Sequence, residues 1–233
     1  MDTDISSILK SWEYQSNALT IRKIMGDDGE EKIQIRINLG ILQMETKERP
    51  DGKTPHYAKS LLEYYDSLIE EFKERDGTAE SFTLTKRDMR ELDDELMQYY
   101  HRRICFFALG DYGYARRDAE HNLRLMDIIK RHCKDQNYTA SHERFRPFVI
   151  MERARAIGLE NIDSGNYADA MKHVSDAIDT IERIYEERGV STEEMQESRE
   201  LAILKKWRSQ IHRDWEGGIP EDDEDDHDED EIL

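Results

Sequence analysis

Hydrophobic residues recur along this chain with two different periods. Ile5, Ile8, Leu9 and Trp12 fall at helical spacing and predict a short amphipathic helix at the start. The period then shortens to two. Leu19 and Ile21 alternate in one segment, and Ile33, Ile35, Ile37, Leu39 and Ile41 alternate in the next. Between them lies the turn sequence GDDGEE, so the pattern predicts a β-hairpin. After Gly40 the apolar parity slips to Leu42 and Met44, which predicts a bulge or a break at that glycine. A lone hairpin is marginal in water, so its apolar face needs a cover. The expected cover is the next helix, with Leu61, Leu62, Tyr65, Leu68, Ile69 and Phe72 on one stripe. The alternative is a homodimer formed through the hairpin.

From Lys86 onward the period is helical throughout. Helices are expected over 86–109, 113–134, 143–163, 167–188 and 192–214, with Gly110, Gly165 and Gly189 at the loops between them. The segments Gly110-Asp111-Tyr112 and Gly165-Asn166-Tyr167 match at an offset of 55 residues. In the second hairpin, Ala154, Ile157, Gly158 and Asn161 precede the turn, and Ala170, Val174, Ala177 and Ile178 follow it. This pattern of small and large residues resembles a tetratricopeptide repeat, in which small side chains let two antiparallel helices approach closely. The resemblance implies that Ala170 and Ala177 present a small face toward Gly158. The first hairpin fits through Tyr99, Phe106, Ala115, Ala119 and Leu123, but Arg102-Arg103 stand where Leu-Gly is expected. The offset also exceeds the usual repeat of about 34 residues, so longer helices or an intervening segment are required.

The expected fold is therefore mainly α. Residues 1–76 form a helix, a small β-hairpin and a covering helix, and 77–85 form a linker. Residues 86–216 form a tetratricopeptide-like helical array, and 217–233 a disordered acidic tail. Composition agrees with this division. Of 233 residues, 37% are charged, the net charge is −19, and ten acids crowd into EDDEDDHDEDE at 221–231. Such a run repels itself and has almost nothing to bury. An acidic protein is repelled by nucleic-acid backbones, so that partner class is disfavoured. No apolar run approaches the roughly 20 residues that span a bilayer. The first residues are acidic where a leader would be basic, so no membrane association and a cytoplasmic location are expected. Cys105 and Cys133 belong to no ligand cluster and read as free thiols.

Candidate chemistry is sparse. Gly52-Lys53-Thr54 follows a strand and suggests a phosphate-binding loop, but the pattern needs a glycine at 47, where Lys47 stands. Pro50 lacks an N–H, and Pro55 pushes Thr54 toward an extended conformation. What remains is the rigid turn RPDGKTPH, whose Arg49, Asp51, Gly52, Lys53 and His56 are candidates for a ligand or partner loop. Arg102, Arg103, Arg116, Arg117, Arg153 and Arg155 form a candidate basic patch. Ala115, Gly158, Ala170 and Ala177 are the candidate repeat-packing residues. No residue is assigned to catalysis or to a metal, and no cofactor is expected, because the eight histidines are dispersed and no nucleophile or dinucleotide motif occurs.

The loop carries a second resemblance. Arg49, Pro50, Asp51, Gly52, Pro55 and His56, followed by Tyr64 and Tyr65, resemble the opening region of a family of uncharacterised bacterial proteins described as UvrB/UvrC-motif-containing. The likeness continues through ALGDY and RPFVIMERARAI and covers about residues 17–215. The C-terminal helical hairpin that gives the family its name is not found here. If the loop is shared by that family, the resemblance implies a functional role for its polar residues. The leading expectation is a non-enzymatic scaffold that binds a protein partner through its helical-repeat surface. The alternatives are a small-ligand binder or enzyme using the Arg49–His56 loop, and a nucleic-acid or repair accessory protein.

Overall fold

The computed structural model describes residues 4–217. In chain order the elements are α1 (Ser6–Ser11), β1 (Ile21–Met25), β2 (Glu31–Ile37), β3 (Gly40–Glu45), a 3-10 turn at Pro55–Tyr57, and α2 (Leu61–Asp76). Then follow α3 (Lys86–Ala108), α4 (Tyr112–His132), α5 (Gln136–Glu143), α6 (Arg146–Asp163), α7 (Tyr167–Glu187), α8 (Thr192–Gln196) and α9 (Arg199–Gly217). The fold is mainly helical, with a small N-terminal antiparallel sheet followed by a stack of long helices. The acidic run 221–231 lies outside the described residues.

The sheet has three strands in the order β1-β2-β3. Ile37 pairs with Gly40 across Asn38-Leu39, so the parity slip marks a second hairpin and not a bulge. A chain that reverses direction restarts its alternation, and a bulge within one strand is unnecessary. The expected cover is also different. Ile33, Ile35 and Met44 pack against Cys105 and Phe106 of α3, Ala115 of α4 and Ala156 of α6. Ala115 and Ala156 are fully buried, and their small side chains let the sheet lie close to the helices. Helix α2 packs elsewhere, placing Leu61, Leu62 and Tyr65 against Leu84, Leu92, Leu125 and Ile129. The apolar face that a second copy would have covered is thus closed within the chain. The opposite face is polar: Arg22 donates to Gln34, which donates to Gln43 across the three strands.

The long helices pack in series, α3 on α4, α4 on α6, α6 on α7 and α7 on α9. Helix α3 begins at a capping box in which Thr85 and Asp88 satisfy each other's backbone N–H groups. The two matching turns close in the same way. The Asp111 N–H donates to the Phe106 carbonyl and the Asn166 N–H to the Asn161 carbonyl, each at 2.8 Å. Gly110 and Gly165 take φ values of +73° and +75°, the left-handed conformation such a helix stop requires. The offset of 55 follows from α4, 21 residues long, and from α5, which intervenes before α6 begins.

Ala115, Gly158, Ala170 and Ala177 are all buried. The close approach at Gly158, however, comes from α9 and not from Ala170 or Ala177. A Cβ there would lie 2.4 Å from the Trp207 ring. The glycine is a seat for an indole. Gly158→Val should therefore cost about 1–3 kcal/mol by overpacking. Chemical denaturation should show part of that loss recovered when Trp207→Ala is added. Equal losses with and without the indole would contradict this packing.

Candidate functional site

The turn from Arg49 to His56 is built to hold its own polar groups. The Glu45 N–H donates to the Pro50 carbonyl at 2.8 Å and the Gly52 N–H to the Arg49 carbonyl at 3.0 Å. Gly52 adopts φ +69°, and its open Cα faces the Glu45 side chain. Asp51 accepts from Arg49 Nε at 2.9 Å, the Lys53 N–H at 3.0 Å and Gln98 Nε2 at 3.2 Å. Burial works to raise the Asp51 pKa, but the Lys53 amide and the Arg49 charge outweigh it and hold the carboxyl below its ordinary value. Lys53 points to solvent, while His56 stacks on Tyr64 with ring centres 4.1 Å apart.

Behind the turn lies a buried polar network. The Glu95 carboxylate, fully shielded from solvent, accepts from Arg49 Nη1 at 3.0 Å and His121 Nε2 at 2.9 Å. It also accepts from the Leu61 and Leu62 N–H groups, so α3 supplies an anion to the N-terminus of α2. Burial, the largest influence, pushes the His121 pKa below its ordinary value, although Glu95 pulls the other way. His121 also lies flat on Tyr99, with ring centres 3.5 Å apart.

Arg102 joins this network to β3. Its guanidinium is fully buried and forms a two-pronged pair with Asp118, Nε donating at 2.7 Å and Nη2 at 2.8 Å. Its remaining nitrogen, Nη1, donates to the carbonyls of Glu45 at 2.9 Å and Glu48 at 2.8 Å. Tyr99 donates to the same Glu48 carbonyl at 3.1 Å, and Arg117 Nη2 to the Thr46 carbonyl at 3.0 Å. Glu48 has φ +48°, a strained conformation for a residue other than glycine. The donors from α3 fix its carbonyl and so hold that strain in place.

The six arginines of the candidate patch do not share a solvent face. Arg102 and Arg103 are buried. Arg116 pairs with Glu160 and Arg155 with Glu152, while Arg153 sits half-buried on α6. The sequence suggests an exposed patch because arginine is ordinarily a surface residue. Here the apolar stripe of α3 runs through Leu92, Tyr99 and Phe106, and Arg102 and Arg103 lie within it.

Arg103 leads to a different site. It lines a cavity of about 730 Å³ with residues from α3, α4, α5, α6 and α9, among them Met97, Tyr100, Phe148 and Ile203. No family model, curated protein or solved structure matches this chain. What the cavity and the network do must therefore be argued from their own chemistry. The first helices of the successive hairpins, α3 and α6, together with α9, all contribute to this one face. Nothing in the sequence pattern singled it out, apart from Arg102-Arg103 standing where an apolar pair was expected. Among the described residues no helix is long and apolar enough to cross a membrane, and no group of three or more His, Cys, Asp or Glu could hold a metal ion.

The loop's polar groups act mainly on the chain itself. Arg102→Met should remove a buried counter-charge from Asp118 and cost about 3–5 kcal/mol. Lys53→Ala, at an exposed site, should change stability by less than about 0.5 kcal/mol. Urea denaturation measures both, and an Arg102→Met variant as stable as the parent would contradict the assignment.

Proposed function

We propose that this protein is a non-enzymatic scaffold that presents the face formed by α3, α6 and α9 to a protein partner. The observation that carries this reading is the serial packing of the helices, which brings α3, α6 and α9 together on the side where they line a shared recess. On that side, Met97 and Phe145 are 50% and 56% exposed at the cavity wall. Large apolar side chains left in solvent beside an apolar recess suit a partner that covers them.

An enzymatic reading would use the Arg49–His56 loop, where Arg49 and Asp51 are already committed to each other and to neighbouring groups. Kinship with the bacterial UvrB/UvrC-motif proteins is part of the proposal and rests on Arg49, Pro50, Asp51, Gly52, Pro55 and His56. Within it, a shared loop would serve as the clasp between sheet and helices, and its constancy would reflect the fold. A cytoplasmic location suits a partner-binding scaffold of this kind.

The experiment is quantitative affinity capture from the protein's native cells, with the full-length chain as bait. The double variant Met97→Glu, Phe145→Glu should lose a partner that the parent captures at stoichiometric amounts. Asp51→Ala, provided that it folds, and His56→Ala should retain it. Capture unaffected by the two glutamates, but lost with His56→Ala, would transfer the function to the loop.

A further inference from the structure

The cavity between α3, α4, α5, α6 and α9 holds a charge without a bonded partner. Its walls include Leu96, Met97, Tyr100, Met126, Phe148 and Ile203. Arg103, 1% exposed, lines the same space, and its Nε and Nη1 donate to no acceptor. Asn122 lines it too. Its Nδ2 donates to the Leu96 carbonyl, while its Oδ1 accepts from no group. The Arg103 guanidinium lies 5.5 Å from the Tyr100 ring centre and 5.9 Å from that of Phe148. Aromatic faces offset part of the cost of burying a cation, but they do not satisfy its N–H groups.

The neighbouring acids are differently placed. Asp93 accepts from Tyr138 and from His142 Nε2, each at 2.7 Å, and Glu200 accepts from Ser198. Asp118 is held by Arg102, and Glu152 pairs with Arg155. Burial lowers the Arg103 pKa, while the fields of Glu152 and Asp118 pull the other way without a hydrogen bond. The cavity therefore lacks an acceptor more than it lacks a donor. One buried cation calls for one negative charge, and the aromatic and aliphatic walls call for an apolar body. A dianionic phosphate would bring a second charge into largely apolar surroundings, where the other arginine of the wall, Arg199, is exposed and not enclosed with Arg103. The volume is that of a small-molecule site.

We propose that this cavity binds a small apolar monocarboxylate, its carboxylate accepting from Arg103 and its hydrocarbon lying against Tyr100, Phe148 and Ile203. The Asn122 Oδ1 favours a ligand that also carries a donor, such as a hydroxyl near the acid. This inference does not rest on the protein-partner reading, since the ligand would lie in the recess and a partner over its rim.

The test is isothermal titration of the full-length protein with octanoate, 1-octanol and octylammonium, which share a tail and differ in head group. Octanoate should bind one to one and about tenfold or more tighter than 1-octanol, the contribution expected of a hydrogen bond to a charged group. Octylammonium should bind most weakly. Arg103→Met should reduce octanoate to the affinity of the alcohol. Ile203→Trp, which fills the cavity from α9 and leaves Arg103 in place, should abolish binding of octanoate, and it decides the matter should Arg103→Met fail to fold. No binding of octanoate, equal binding of octanoate and octanol, or octanoate binding unchanged in either variant would overturn the proposal.

Discussion

The structure depends on a single buried guanidinium. Arg102 sits where the sheet, the polar turn and the first helical hairpin meet, and its donors are divided between a carboxylate on α4 and carbonyls at the end of β3. Burying a charge costs least when it is paired and fully hydrogen-bonded, so this arrangement fixes geometry as well as charge. Asp118 must face Arg102 for the pair to form. The carbonyls of Glu45 and Glu48 must turn inward to meet the remaining nitrogen. That inward turn sets the path of the chain into Arg49, whose own guanidinium then reaches Glu95 on α3 and, through it, the N-terminus of α2.

This chain of bonds explains why the N-terminal third does not behave as a hairpin with its own covering helix. The apolar faces of β2 and β3 and of α2 are both buried, but each against the helical stack. Leu84, in the segment expected to be a linker, is buried and donates its N–H to the His132 carbonyl of α4. The sheet, the turn and α2 thus close over α3 and α4 and leave the other side of α3 to face α6 and α9. Neighbouring positions on α3 have different tasks. Arg102 joins the sheet to the stack, and Arg103, a step of about 100° around the helix, faces the cavity.

Much of the fold is legible in the sequence. Helix ends are written in local chemistry, such as Thr85 with Asp88 or the glycines at 110 and 165, and these positions need no tertiary information. The second hairpin of the sheet is written less plainly, because a change of apolar parity at Gly40 has several possible causes. Partner choice between elements is not written at all. Leu61, Leu62 and Tyr65 show that α2 buries a face, but not against what. The same holds for the site. Pro50, Asp51 and Gly52 identify a rigid turn from their types alone, whereas the adjacent arginines give no sign that they serve different neighbours of one helix. Buried arginines escape a reading that assigns charge to the surface, and only the packed neighbours Asp118 and Phe148 reveal them.

The central claim is that sheet, turn and helices form one cooperative unit through Arg102. Native-state hydrogen exchange of the parent protein tests it most directly. The amides of β2, at Ile33 and Ile35, should open with the same free energy as the central amides of α4 and α6, and should respond in parallel to added denaturant. Exchange at Ile33 and Ile35 through a separate, low-energy opening, while α4 and α6 remain protected, would contradict the account.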